Sequence, residues 1–172
     1  MKTKLSIVAL ALVAGSAMAA PGDKIIVAND GEVVAKFLGH SAAYTNDLYL
    51  DDPVNGLGII FTNQTTPVGT EVSLGNFTAG TELIFRLYVR NTDTSYYTGP
   101  DFRNPDGYAH ADVVQAYGGH DEVTGVFFED LYGGPFHYND LGFSFTNTIV
   151  PEPASMAALG IGMAALIRRR RK

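Results

Sequence analysis

The residues best placed to do chemistry lie in one aromatic-rich stretch, FFEDLYGGPFHYNDLGFSFTN, running from Phe127 to Asn147. Glu129 and Asp130 precede a Gly133-Gly134-Pro135 turn, and Asn139 and Asp140 follow it. If the segment folds back as a hairpin, both acidic pairs return to the same end of a sheet. Carboxylates and amides gathered beside a glycine-rich turn are hard oxygen donors, and calcium takes six to eight of these. Glu129, Asp130, Asn139 and Asp140 are therefore a candidate partial calcium shell. The competing reading is a set of solvated turn acids above an aromatic core strand, and spacing by itself leaves both open.

A second cluster, DFRNPDGYAH, spans Asp101 to His110 and offers Asp101, Asn104 and Asp106. Asn-Pro-Asp-Gly is turn chemistry, with Pro105 presetting one dihedral and Gly107 permitting a positive one. The alternate-position ligands and terminal glutamate of an EF-hand loop are absent. The four histidines, His40, His110, His120 and His137, form no HxH or HxxxH pair of the kind zinc favours. No G-x-S-x-G elbow presents a serine nucleophile. Paired carboxylates for glycoside hydrolysis are available in any acidic β-domain, but nothing marks one pair with an apolar setting for a proton donor.

The elements that must position these residues read as strands. In ELIFRLYVR, Glu82 to Arg90, the residues Leu83, Phe85, Leu87 and Val89 alternate with Ile84, Arg86, Tyr88 and Arg90, the period of a half-buried strand. Glu32–Leu38, Gly58–Phe61, Glu71–Leu74, Asp112–Tyr117 and Leu141–Asn147 read similarly. Breakers such as Asn29-Asp30-Gly31, Asn55-Gly56 and Gly118-Gly119 separate them. No body segment sustains a 3.6-residue apolar period for three turns. The expected fold is all-β, an antiparallel β-sandwich of jelly-roll-like form.

Composition narrows the function classes. The chain carries 12 basic and 18 acidic residues. Lys2, Lys4, Arg168, Arg169, Arg170, Arg171 and Lys172 belong to the ends, as does Glu152, so residues 20–149 keep 5 basic against 17 acidic, net −12. Such a surface repels nucleic acid and anionic lipid, and attracts divalent cations. Cysteine is absent, which excludes disulfides, thiol nucleophiles and iron–sulfur clusters. The 130 residues of that body make one domain, long enough to bury a core without covalent staples.

The ends are different material. Lys2 and Lys4, the apolar run Leu5–Ala14, and small residues at Ala17 and Ala19 have the order of a secretory signal peptide over residues 1–19. At the other end, Val150, Pro151, Glu152 and Pro153 lead into an uncharged stretch, 154–167, and then Arg168–Lys172. As a helix that stretch spans about 21 Å, short of the roughly 30 Å hydrocarbon core. Snorkelling cations and local thinning make up the difference. The basic cluster should remain cytoplasmic.

Prolines, apolar helix and cations in this order resemble the PEP-CTERM sorting signal of Gram-negative bacteria. The resemblance implies processing by exosortase after passage through the secretion translocon and cleavage by signal peptidase. The membrane is then held only transiently, through the C-terminal helix, before the body reaches the cell surface or the medium. The body in turn resembles the domain-of-unknown-function family numbered 4114. The likeness rests on Asn104-Pro105-Asp106-Gly107, His110-Ala111, Phe128-Glu129-Asp130-Leu131, Gly133-Gly134 and Tyr138-Asn139-Asp140. It implies calcium at Glu129, Asp130, Asn139 and Asp140, and more weakly at Asp106. Pro135, Phe136 and His137 stand where that family's Asp-x-Asp pair is expected. The functional expectation is an exported, non-enzymatic surface or extracellular-matrix protein associated with exopolysaccharide or biofilm. The alternative is a secreted hydrolase acting on extracellular polysaccharide.

Overall fold

The computed structural model describes residues 20–51 and 57–151. The signal peptide expected at 1–19 and the sorting segment from Glu152 onward, with its transmembrane helix and Arg168–Lys172, lie outside the described residues. Among those described, no helix is long and apolar enough to cross a membrane.

Among the described residues the fold is all-β, with about 43% strand and 5% helix. In order, the strands are β1 (Ile25–Val27), β2 (Gly31–Gly39), β3 (Asn46–Leu50), β4 (Phe61–Thr62), β5 (Glu71–Phe77), β6 (Glu82–Leu83), β7 (Phe85–Val89), β8 (Thr94–Tyr97), β9 (Ala111–Val114), β10 (Val123–Phe128), β11 (Leu141–Thr146) and β12 (Thr148–Ile149). They form three antiparallel sheets: a five-stranded β5-β2-β11-β10-β9, a four-stranded β4-β3-β7-β8, and a small β12-β1-β6.

The two larger sheets meet through aromatic side chains. Phe85 of β7 stacks on Phe145 of β11 at 4.1 Å between centroids and lies 5.6 Å from Phe143. Phe37 of β2 meets Phe61 of β4 at 5.5 Å. Contacts of this kind contribute about 0.5–1.5 kcal/mol each beyond the area they bury. The alternation in β6 and β7 explains why they meet: Leu83, Phe85, Leu87 and Val89 are all buried, while Arg86 and Tyr88 face outward.

That single run serves two sheets. Leu83 pairs with Ile25 in the small sheet, and Phe85 pairs with Leu50 in the four-stranded one, with Ile84 as the crossing residue. The expected strand Gly58–Phe61 contracts to Phe61–Thr62, and Asp112–Tyr117 ends at Val114, a short 3-10 turn following at Tyr117–Gly119.

Several of the strands are joined as hairpins. Strands β3–β4, β7–β8, β9–β10 and β10–β11 each pair with their chain neighbour within one sheet. Short connections favour the hairpin, since the turn residues between β7 and β8 leave no length for a crossover.

Candidate metal centre

The hairpin expected between Phe127 and Asn147 is present. Strands β10 and β11 pair from Val123↔Thr146 to Phe128↔Leu141. Glu129 and Asp130 therefore leave one strand where Asp140 enters the other, and the Asp140 N–H closes the ladder onto the Phe128 carbonyl at 2.9 Å. The three carboxyls converge: one oxygen from each of Glu129, Asp130 and Asp140 lies within 4.8 Å of the others. All three residues are buried, at 2%, 4% and 8% exposure. Solvated turn acids would be exposed, so that reading falls.

Backbone donors hold the acids in place. Glu129 Oε1 accepts from Leu131 N at 3.1 Å, and Oε2 accepts from His137 N at 2.9 Å. Asp140 Oδ2 accepts from Asp130 N at 2.9 Å. Asn139 differs: it is exposed, and its backbone carbonyl accepts from Ser41 N at 2.7 Å. The structure thus unites Glu129, Asp130 and Asp140 and leaves the Asn139 side chain on the surface.

Asn46 takes a place that the sequence did not single out. It begins β3, is fully buried, and donates from Nδ2 to Asp130 Oδ2 at 2.8 Å. Its Oδ1, on the same planar amide, is buried and has no hydrogen-bond partner among the described residues. Leaving a buried acceptor unsatisfied costs about 1–3 kcal/mol. A signal existed in the sequence, because Asn46, Leu48 and Leu50 share the inward phase of β3 and put a polar residue in a core position.

Asp106 lies outside the trio and braces the loop around it. Its Oδ2 accepts from Gly133 N and meets His110 Nε2, both at 2.8 Å. His110 is fully buried, stacked on Tyr96 at 3.7 Å, with Nδ1 at 2.8 Å from the Glu129 carbonyl. Both ring nitrogens thus lie within hydrogen-bond distance of oxygens, the Glu129 carbonyl and the Asp106 carboxylate. Burial pushes the Asp106 carboxyl up, but donors from Gly133, His110 and Tyr108 outweigh it and hold the group below its usual value. The Asn-Pro-Asp-Gly turn is structural in its asparagine: Asn104 is buried, accepts from Tyr97 N at 2.7 Å and donates to the Tyr108 carbonyl at 2.8 Å.

The trio's electrostatics are unfavourable without a counter-charge. Burial drives Asp140 up to about 7; repulsion from Asp130 and Glu129 adds to this, and the Asp130 N–H opposes it. Asp130 is also raised, by burial first, with the Asn46 amide pulling down and Glu129 pushing up. A divalent cation would relieve both effects. Three carboxylates and one free amide oxygen are the hard donors suited to calcium or magnesium rather than to zinc or copper.

Comparison with known proteins defines the class to which the chain's end assigns it. Residues 150–172 match the PEP-CTERM protein-sorting motif. The motif marks an exported protein that exosortase processes and that is anchored transiently in the membrane. No curated protein and no solved structure matches the chain. None of the comparisons supports the body's resemblance to family 4114.

The fold delivers this motif without a spacer. Strand β12 pairs Ile149 with Ile26 of β1, and the next residue, Val150, opens the motif. Val150 is half-buried against the core, and its N–H donates to Gln115 Oε1 at 2.6 Å, whereas Pro151 is exposed.

Proposed function

We propose that the exported body is a non-enzymatic domain of the cell surface or extracellular matrix, associated with exopolysaccharide in a biofilm and held by one calcium ion. Glu129, Asp130 and Asp140 supply carboxylate oxygens, and Asn46 supplies its amide oxygen. The observation that carries the cation is the convergence of three buried acids next to the Asn46 amide, whose Nδ2 bonds Asp130 and whose Oδ1 is buried with no partner among the described residues. Calcium bound there turns an unsatisfied acceptor and a strained cluster of like charges into a filled shell. The acids are the joint of the β10–β11 hairpin, so the ion acts as a staple in a chain without disulfides. The route outward uses the secretion translocon, signal peptidase and then exosortase.

Chelation tests the staple. Removing divalent cations from the mature protein should lower its melting temperature by several degrees, and calcium should restore it. An unchanged melting curve would retire the four ligands. Retention on host exopolysaccharide, with and without calcium, tests the surface role separately.

One observation favours a hydrolase instead. A carboxyl raised to about 7, as Asp140 is, could serve as a proton donor near neutral pH. Against it stand three acids buried to 2–8% exposure, which offer no open face to a sugar ring. Turnover of a polysaccharide that disappears in Asp140→Asn would establish the hydrolase and displace the staple.

A further inference from the structure

We propose that the outer face of the five-stranded sheet is a binding groove for a neutral glycan; this rests on the reading that the body associates with extracellular polysaccharide, and it says where. A cavity of about 560 Å³ lies on that face, within the range of ligand-sized clefts. Its floor is the central strand β11, through the small residues Ser144 and Thr146. One wall carries Tyr117 and His120 from the loop after β9, and the other carries Lys36 and Glu71 from β2 and β5.

The register makes this a continuous surface. Gly125 pairs with Ser144, Ser144 with Lys36, and Lys36 with Glu71, so one row crosses four strands. Tyr117 sits over the Gly125 end of that row. A Cβ on Gly125 would come within 2.6 Å of its ring, so only glycine lets the ring settle there. Ser144 is 7% exposed and lines the cavity.

The chemistry of the lining selects the class of occupant. A pyranose has an apolar C–H face and a rim of hydroxyls, which match an aromatic ring beside donors and acceptors of both kinds. Lys36 is already paired with Glu71 at 3.2 Å and brings no surplus positive charge. The surrounding body carries net −12. A polyuronate would meet repulsion there; an uncharged chain would not.

Affinity electrophoresis of the mature protein through gels containing host extracellular polysaccharide tests this, with the polymer split by anion exchange into neutral and acidic fractions. The neutral fraction should retard the wild type. Tyr117→Ala, Ser144→Val and Lys36→Ala should each weaken retardation about tenfold while melting as the wild type does. Lys36 is exposed, so its variant keeps the test alive if another fails to fold. Equal retardation of wild type and variants would overturn the groove and leave the polymer association standing. Retardation by the acidic fraction only would also overturn it. No retardation by either fraction would remove the polymer association and the groove together.

Discussion

Asn46 Nδ2 donates to Asp130 Oδ2 at 2.8 Å, joining the first residue of β3 to the acid that follows β10 across 84 positions of sequence. The bond ties the four-stranded sheet to the hairpin joint of the five-stranded one. The same amide's Oδ1 is buried and has no hydrogen-bond partner among the described residues. Sheet packing and the chemistry of the cluster are therefore one problem, and each prediction below perturbs a part of it.

Replacing Asp140 with Asn removes one buried charge but keeps an oxygen to accept the Asp130 N–H. Without divalent cations at pH 8, the variant should melt about 5 °C above wild type, the shift expected for roughly 1–2 kcal/mol in a domain of this size. Its response to calcium should vanish. A wild-type calcium shift retained in Asp140→Asn would show that the ion binds elsewhere.

Stability should depend on pH in a direction that the trio dictates. The Asp140 carboxyl sits near 7 when folded, above its ordinary value of about 3.9. Between those limits the folded state holds a proton that the unfolded chain has released. Stability is thus greatest in mild acid and declines as pH rises toward 7. Denaturant titrations in chelator at pH 5 and pH 8 should show that decline, and saturating calcium should flatten it. Rising stability over this interval in chelator would contradict the assignment.

Phe85→Ala should destabilise by about 3–5 kcal/mol, the usual cost of emptying a large aromatic site. Phe85 contacts both Phe143 and Phe145 of β11 across the sheets, so a collapse that fills the void would have to move β11 against β7. Equilibrium unfolding in urea measures it. A loss below about 1 kcal/mol would mean that the two sheets do not rely on this contact.

Gln115→Ala removes the acceptor that holds the Val150 N–H. A net cost of about 1 kcal/mol is expected for one hydrogen bond. Hydrogen exchange at Val150 should accelerate while β11 stays protected. Uniform acceleration across β11 would instead show that the C-terminal clamp and the main sheet open together.

Several of these features were legible in the sequence. Alternation in Glu82–Arg90 identified the buried face, because a strand's side chains point to opposite sides with period two. The Gly133-Gly134-Pro135 turn between acidic pairs announced a hairpin with its carboxyls at one end, and Glu129, Asp130 and Asp140 occupy that end. Asn139 shows the limit of that reasoning: adjacent residues face opposite ways, so only one member of the Asn139-Asp140 pair could turn inward. Strand β8, Thr94–Tyr97, carries too few strong apolar residues to stand out, and its partner β7 confers its strand character by pairing.

The sequence by itself determined properties that depend on local order and total charge. These are an all-β body, a net charge hostile to nucleic acid, the absence of covalent staples, and a terminal run that a membrane and a sorting enzyme can read in linear form. Only the tertiary structure decided that Asn46, His110 and Asp106 surround or brace the acid trio, and that small residues on β11 leave a groove. Such convergence comes from pairing partners dozens of residues apart, and no local periodicity encodes which strand a given strand will choose.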